Sequence, residues 1–185
     1  MTPNWASKSI FKVHQAANEI AVLSNGKPTT KGQRQMKDFK VEAMNAGTEY
    51  ADTDQFQTGE TSFRHAMRNS KQTVLEAMTK ADVFVRSQFM NAKKLLAEGK
   101  THQAYFEFAV GLHTLQDATS PVHGGFQVWN GNESLLELIG HGSRELHYPG
   151  FNSNLQKVSN QYLQWFENSN SPLPKGNLFL NIKTD

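Results

Sequence analysis

The segment from Thr101 to Asp117 restricts the fold most strongly, because its apolar residues point in almost every direction around a helix. A helix with this pattern is stable only when other elements cover it on all sides. Elsewhere apolar residues also recur at helical spacing, whereas the alternating runs typical of strands are scarce. The sequence therefore predicts an all-α fold, a multi-helix bundle in which this segment is the central helix.

Turn signals divide the rest of the chain. The predicted helices run from about residue 7 or 9 to 23, from 33 to 50, from 62 to a break near 69, from there to 96, from 133 to 146 and from 153 to 166. The sequence around 178–182 predicts a short packed strand or arm. We find no repeat and no linker, so residues 1–185 are expected to form a single domain.

Composition removes several classes of protein. The chain has no cysteine, which excludes a disulfide framework and any cysteine-based zinc site, so metal binding would have to use imidazole and carboxylate groups. A formal net charge of +2 is too small to indicate binding to nucleic acid or anionic lipid. The sequence shows neither a secretory signal peptide nor a stretch of about 18 apolar residues, the length that a membrane span requires. Localisation stays open, including secretion or delivery within a larger protein.

Histidine and carboxylate residues recur at spacings typical of metal ligands. His113 and Asp117 lie four residues apart on the central helix, and His141 and Glu145 repeat that step, so each pair shares one helical face. Pro121 should end the central helix and let the chain turn His123 back toward the first pair. The pattern predicts a metal site built from imidazoles and carboxylates.

This pattern, His-x3-Asp-x5-His followed by His-x3-Glu, resembles the zinc-dependent phospholipase C and P1/S1 nuclease superfamily, an all-α fold around up to three zinc ions. Two further stretches, Ser62 to Met67 and Leu112 to Trp129, are similar to toxin modules at the C-termini of rearrangement-hotspot (Rhs) repeat proteins. That second resemblance implies an immunity protein as a partner.

The superfamily resemblance implies a ligand set. One zinc would bind Asp52, His65, His113 and Asp117, a second His123, His141 and Glu145, and a third His14, with Asp117 bridging. Asp54 has similar chemistry to Asp52 and stays an alternative for its role. In the relatives, the free amine of an N-terminal tryptophan also binds zinc, and cleavage before Trp5 would create that ligand here.

The resemblance further implies a metal-dependent phosphodiesterase. Zinc would supply hydroxide at neutral pH and clamp the phosphate oxygens, and Asp52 would act as the catalytic residue that orients or deprotonates the attacking water. The expected activity is phospholipase C-like cleavage of phospholipid head groups, and the similarity to Rhs modules implies an antibacterial toxin as its context. Two alternatives are a P1/S1-like single-strand nuclease and a non-catalytic helical module that is stabilised by metal. Phe126 and Trp129 follow His123 and would lie either at the mouth of the cleft or in the core.

Overall fold

A computed structural model describes residues 13–25, 38–53, 55, 58–129, 148–168 and 171–185. Five α-helices account for most of these residues: α1 (Val13–Ser24), α2 (Phe39–Ala51), α3 (Val74–Ala97), α4 (Thr101–Asp117) and α5 (Asn154–Glu167). A 3-10 helix, Ser62–His65, lies between α2 and α3. Within the described ranges there is no strand, which confirms the all-α prediction. No helix in these ranges is both long and apolar enough to span a bilayer.

Helix α4 lies at the centre of the bundle. Its packing partners include α2, α3 and α5, and α1 packs in turn against α2 and α5. The core around α4 is largely aromatic: the Phe108 ring stacks on Phe166 of α5 at 4.4 Å and on Phe89 of α3 at 5.0 Å between centroids. The predicted bounds of α4 agree with the structure at both ends, because covering by neighbours is what an all-round apolar helix requires.

The break predicted near Asn69 separates the 3-10 helix from α3. Helix α3 begins with a capping box, in which the Thr73 hydroxyl accepts from the Glu76 N–H and the Glu76 carboxylate accepts from the Thr73 N–H. Arg68, before this cap, forms an isolated parallel bridge with Val128. This bridge ties the segment that follows His65 to the loop that follows His123.

The turn after α4 reverses the chain as the proline predicts. Ser120 donates its N–H to the Asp117 carbonyl at 2.9 Å, and the N–H groups of His123 and Gly124 donate to the Ser120 carbonyl at 3.1 and 2.8 Å. Pro121, which has no N–H, lies inside this turn. His123 therefore returns to the end of α4 that carries Asp117.

The segment 171–185 packs as a turn and extended chain, which agrees with the arm and not with the strand, the two alternatives that its apolar residues left open. Leu178 and Phe179 are buried, and the Leu178 N–H is taken by the Asp82 carboxylate of α3 at 2.8 Å. Asp185 donates its N–H to the Thr119 carbonyl at 2.8 Å, and its carboxylate accepts from the Leu155 N–H in the first turn of α5 at 3.0 Å. The backbone groups thus pair with side chains and turns, so no strand partner is needed.

Candidate metal centre

Five separate elements bring the predicted ligands to one place. His14 comes from α1, Asp52 from the C-terminal end of α2, and His65 from the 3-10 helix. The other three are His113 and Asp117 of α4 and His123 of the turn that follows it. Asp52 caps α2, whereas the sequence had suggested a loop position for it. Six of the eight predicted ligands therefore lie together, at the end of α4 where Pro121 reverses the chain.

Asp117 is the centre of this cluster. Its side chain is 2% exposed, and one carboxylate oxygen, Oδ1, lies 3.0 Å from His14 Nε2. The other oxygen, Oδ2, lies 3.0 Å from His65 Nδ1 and 3.2 Å from His113 Nε2. A buried carboxylate is stable only when it is paired, and here imidazoles approach both of its oxygens. Groups on both oxygens are what a carboxylate shared between two cations would have.

The His113 imidazole meets several polar partners with a single nitrogen. Its Nε2 lies 3.1 Å from Asp52 Oδ1, 3.2 Å from Asp117 Oδ2 and 3.3 Å from His65 Nδ1. One N–H proton cannot bond well to three partners at once. The arrangement is therefore frustrated as a hydrogen-bond network, and a single cation among these atoms would satisfy them together.

The spacing of these atoms fits a tetrahedral metal site. Bonds of about 2.0–2.1 Å to a zinc ion place neighbouring ligand atoms about 3.3 Å apart. His65 Nδ1, His113 Nε2 and Asp117 Oδ2 form a triangle with edges of 3.0, 3.2 and 3.3 Å, close to one face of such a tetrahedron. Asp52 lies near enough to supply the fourth ligand, since its carboxylate and the two ring nitrogens all lie within 4.8 Å of one another. The donor set and its spacing both fit a zinc-like cation.

His123 approaches the cluster with its orientation already determined. Its Nδ1 lies 2.6 Å from the His65 carbonyl oxygen, which can only accept, so Nδ1 carries the proton. In the neutral ring the lone pair is then on Nε2. Bonds of this kind orient metal-binding histidines in many proteins. Nδ1 also lies 3.8 Å from Asp117 Oδ2.

The electrostatics couple His113 to the two carboxylates. Desolvation is the largest influence on His113 and lowers its pKa, but Asp117 and Asp52 together raise the pKa well above 6.5. Desolvation likewise raises the pKa of Asp117, and the charges of His113 and His123 outweigh it and hold the pKa well below 3.8. Without a metal, a proton on His113 thus supplies the positive charge that the buried carboxylate requires.

Asp52 is the most solvent-accessible member, with 37% of its side chain exposed against 1% for His113. Desolvation within the cluster raises the pKa of its carboxyl group, but His113 and His65 together lower it below 3.8. Asp52 is therefore ionised at neutral pH and can contact both the cluster and solvent. Among the six clustered residues it is best placed to meet a water molecule or a substrate.

A layer of buried polar side chains lies behind the ligands, and the sequence pattern did not reveal it. Gln116, next to Asp117 on α4, donates from Nε2 to Asn18 Oδ1 at 3.0 Å and to Ser159 Oγ at 2.9 Å. A polar residue next to a ligand on an apolar helix was the only signal available. The partners come from other helices and could not be read from local spacing.

Phe126 belongs to the core, the second of the two positions that the sequence allowed. It is buried, and its ring packs edge-on against Phe179 at 5.4 Å. Trp129 is partly exposed and donates its backbone N–H to the Arg68 carbonyl at 2.7 Å. Phe126 thus anchors the loop after His123 in the core. Trp129 is the ring of this loop that lies nearer to solvent.

Several predicted features lie outside the described residues: Trp5, Asp54, the helix expected at 133–146, and the ligands His141 and Glu145. Their roles stay predictions. No family model, curated protein or solved structure matches this chain. What the described residues define is an all-helical protein with a cluster of histidine and aspartate side chains that could bind a metal ion.

Proposed function

We propose that this chain is a metal-dependent phosphodiester hydrolase that uses zinc and cleaves the head groups of phospholipids. The observation that carries the proposal is the convergence of His14, His65 and His113 on the buried Asp117, with Asp52 at the solvent-facing side. A site that only stabilised the fold would be closed on all sides, whereas catalysis requires a position open to water. The exposure of Asp52 favours a catalytic site with a position open to water.

His65, His113 and Asp117 would hold one cation, since their ligand atoms have the spacing of one face of a tetrahedral site, and Asp52, 3.1 Å from His113 Nε2, would add a ligand on the solvent-facing side. His14 faces the other oxygen of Asp117 and would contribute to a second. His123, with its proton on Nδ1, would offer Nε2 to the ion that the resemblance assigns to it with His141 and Glu145.

Zinc, when bound, acidifies water and neutralises the charge on phosphate oxygens. Asp52 is ionised at neutral pH, so it can accept a hydrogen bond from the attacking water and align it with the phosphorus atom. Asp117 is too deeply buried to reach a substrate, and its part is to hold three imidazoles in place. The His65 carbonyl keeps the His123 ring in one tautomer and one orientation.

Hydrolysis assays with measured metal content test the proposal. The purified chain is incubated with phosphatidylcholine vesicles and, separately, with single-stranded DNA, each with zinc and with a chelator. We expect release of phosphocholine that depends on zinc and is lost in Asp52→Asn. The matched control is Asp82→Asn, which changes an aspartate of α3 that bonds to Arg86 and to the Leu178 N–H.

The other outcomes assign the chain differently. Cleavage of DNA alone would contradict the lipid substrate and leave a nuclease with the same site. Stoichiometric zinc with cleavage of neither substrate would contradict the hydrolase and indicate a helical module that is stabilised by metal. A chain that binds no zinc would overturn the proposal altogether.

A further inference from the structure

We propose that Thr48, Asn18 and Gln116 are positioning residues that set the register of α1, α2 and α4, and through it the spacing of the metal ligands. The inference rests on the metal binding proposed above and not on the reaction. It concerns a hydrogen-bonded chain of side chains that crosses the bundle directly behind the ligand cluster.

This hydrogen-bonded chain of side chains is continuous across four helices. Asn18 of α1 donates from Nδ2 to Thr48 Oγ1 of α2 at 3.0 Å and accepts from Gln116 Nε2 of α4 at 3.0 Å. The same Gln116 nitrogen donates to Ser159 Oγ of α5 at 2.9 Å. All four residues are buried, between 0% and 3% exposed. Each donor faces an acceptor, so the direction of every bond in the chain is determined.

Three of the four members lie close in sequence to a predicted ligand on the same helix. Asn18 follows His14 by four residues, and Thr48 precedes Asp52 by four. Gln116 directly precedes Asp117 and lies three residues after His113. Residues four apart on a helix lie one above the other, about 6 Å apart along the axis. Asn18 and Thr48 therefore lie about one helical turn from the ligands on their helices, and Gln116 lies between the two ligands of α4 in the sequence.

Small residues form part of the helix contacts around this polar layer, beside the larger buried residues Ile20 of α1 and Met44 of α2. Helix α1 buries the small residues Ala17 and Ala21, which present little to interlock with a neighbour. Helix α2 lies so close to α4 at Gly47 that an added Cβ would overlap the Phe106 carbonyl oxygen. Directional hydrogen bonds between the helices add a constraint on sliding to the constraint that packing supplies.

The layer also carries a penalty that stability alone does not explain. Gln116 Oε1 is buried, and no described residue donates to it. Burying polar atoms is costly unless each has a partner, so packing alone would not favour an amide side chain at this position. A polar side chain here makes sense when its role is to determine geometry. Metal affinity depends on ligand distances within about 0.2 Å, so it is the property most sensitive to register.

Cobalt(II) titration of the full chain, followed by visible absorption, tests the inference. Thr48→Val keeps the shape of the side chain but removes the acceptor for Asn18. We expect it to weaken cobalt binding about tenfold and to alter the absorption band, in the range seen when groups behind metal ligands are removed. Thr48→Ser, which retains the hydroxyl, should restore both. Ser159→Ala interrupts the chain at its other end and serves if the valine variant does not fold.

The matched control is Tyr105→Phe. It removes the bond from the Tyr105 hydroxyl to Glu167 Oε1 at 2.6 Å, which also joins α4 to α5 but lies two turns away from His113. It should lower the melting temperature and leave cobalt affinity and the absorption band unchanged. Equal effects of Thr48→Val and Tyr105→Phe on cobalt binding, or no effect of Thr48→Val, would overturn the positioning role and leave the proposed function unaffected. Failure of the unmodified chain to bind cobalt or zinc would overturn the proposed function and this inference with it.

Discussion

The backbone carbonyl of His65 accepts a hydrogen bond from Nδ1 of His123 at 2.6 Å, although the two residues come from different elements. Because a carbonyl cannot donate, this contact determines which ring nitrogen of His123 carries the proton. It also makes the position of one predicted ligand depend on the backbone of another. A change in the position of either residue should therefore alter the position of the other.

His123→Ala should abolish hydrolysis while leaving the fold intact. We expect a loss of at least about a hundredfold in kcat, because the substitution removes a ligand and its oriented nitrogen. Initial rates at saturating substrate and zinc measure the effect. His102→Ala is the control, since His102 is exposed on α4 far from the cluster. A lower melting temperature with full activity would instead indicate a purely structural metal site.

Asp117→Asn should abolish the increase in melting temperature that zinc gives to the unmodified chain. The carboxylate faces three imidazoles, and an amide of the same size removes its charge and turns one oxygen into a donor. Thermal unfolding with excess zinc and with chelator should give the same melting temperature in this variant and different ones in the unmodified chain. Asp82→Asn should lower the melting temperature yet retain the response to zinc. A zinc response preserved in Asp117→Asn would contradict the site.

The stabilisation by zinc should grow as pH rises from 6 to 8. In the metal-free chain the pKa of His113 lies well above 6.5, so the stability that its proton contributes is complete below about 6.5 and declines as pH rises through the raised value. Zinc has to displace that proton, so its binding strengthens in the same interval.

The depressed pKa of Asp117 adds no change in this window, because its contribution is present above 3.8 and is lost only as pH falls below that value. The measurement is the difference in melting temperature with and without zinc at each pH. A zinc effect that is equal or smaller at pH 8 would contradict the assignment of His113 as a ligand.

Gly47→Ala should destabilise the chain and weaken zinc binding. The added Cβ would overlap the Phe106 carbonyl oxygen and lie 3.0 Å from the Ala109 Cβ, so α2 would have to move away from α4. We expect a loss of about 1–3 kcal/mol from overpacking, which exceeds the gain of about 1 kcal/mol in helix propensity. Urea unfolding in chelator measures it, with Glu49→Ala on the exposed face of α2 as the control. Unchanged stability would show that α2 adjusts without strain.

Local sequence was enough to predict several elements of the fold. The bounds of α4, the turn at Pro121 and the pairing of His113 with Asp117 follow from helical periodicity, from the missing proline N–H and from the four-residue step. These properties depend on neighbours within a few residues. For the same reason the bundle class could be predicted without knowing how the helices pack.

Long-range contacts lay beyond that reasoning. The apolar residues around Leu178 were compatible with a strand or an arm, and the bond from the Leu178 N–H to Asp82 with the burial of Leu178 decides for a packed arm. Phe126 was compatible with a cleft or a core position, and contact with Phe179 decides for the core. Local spacing of residues predicts neither outcome, because each depends on a partner far away in the chain.

The sequence by itself determined that the chain is helical and which side chains are chemically able to bind a metal, because periodicity and residue type are local properties. Only the tertiary structure decided that His14 and His65 meet Asp117, that Asp52 meets His113, and that Thr48, Asn18 and Gln116 join their helices behind them. The physical reason is that helix register depends on the summed packing and hydrogen bonding of all partners, and no single segment of the chain contains that information.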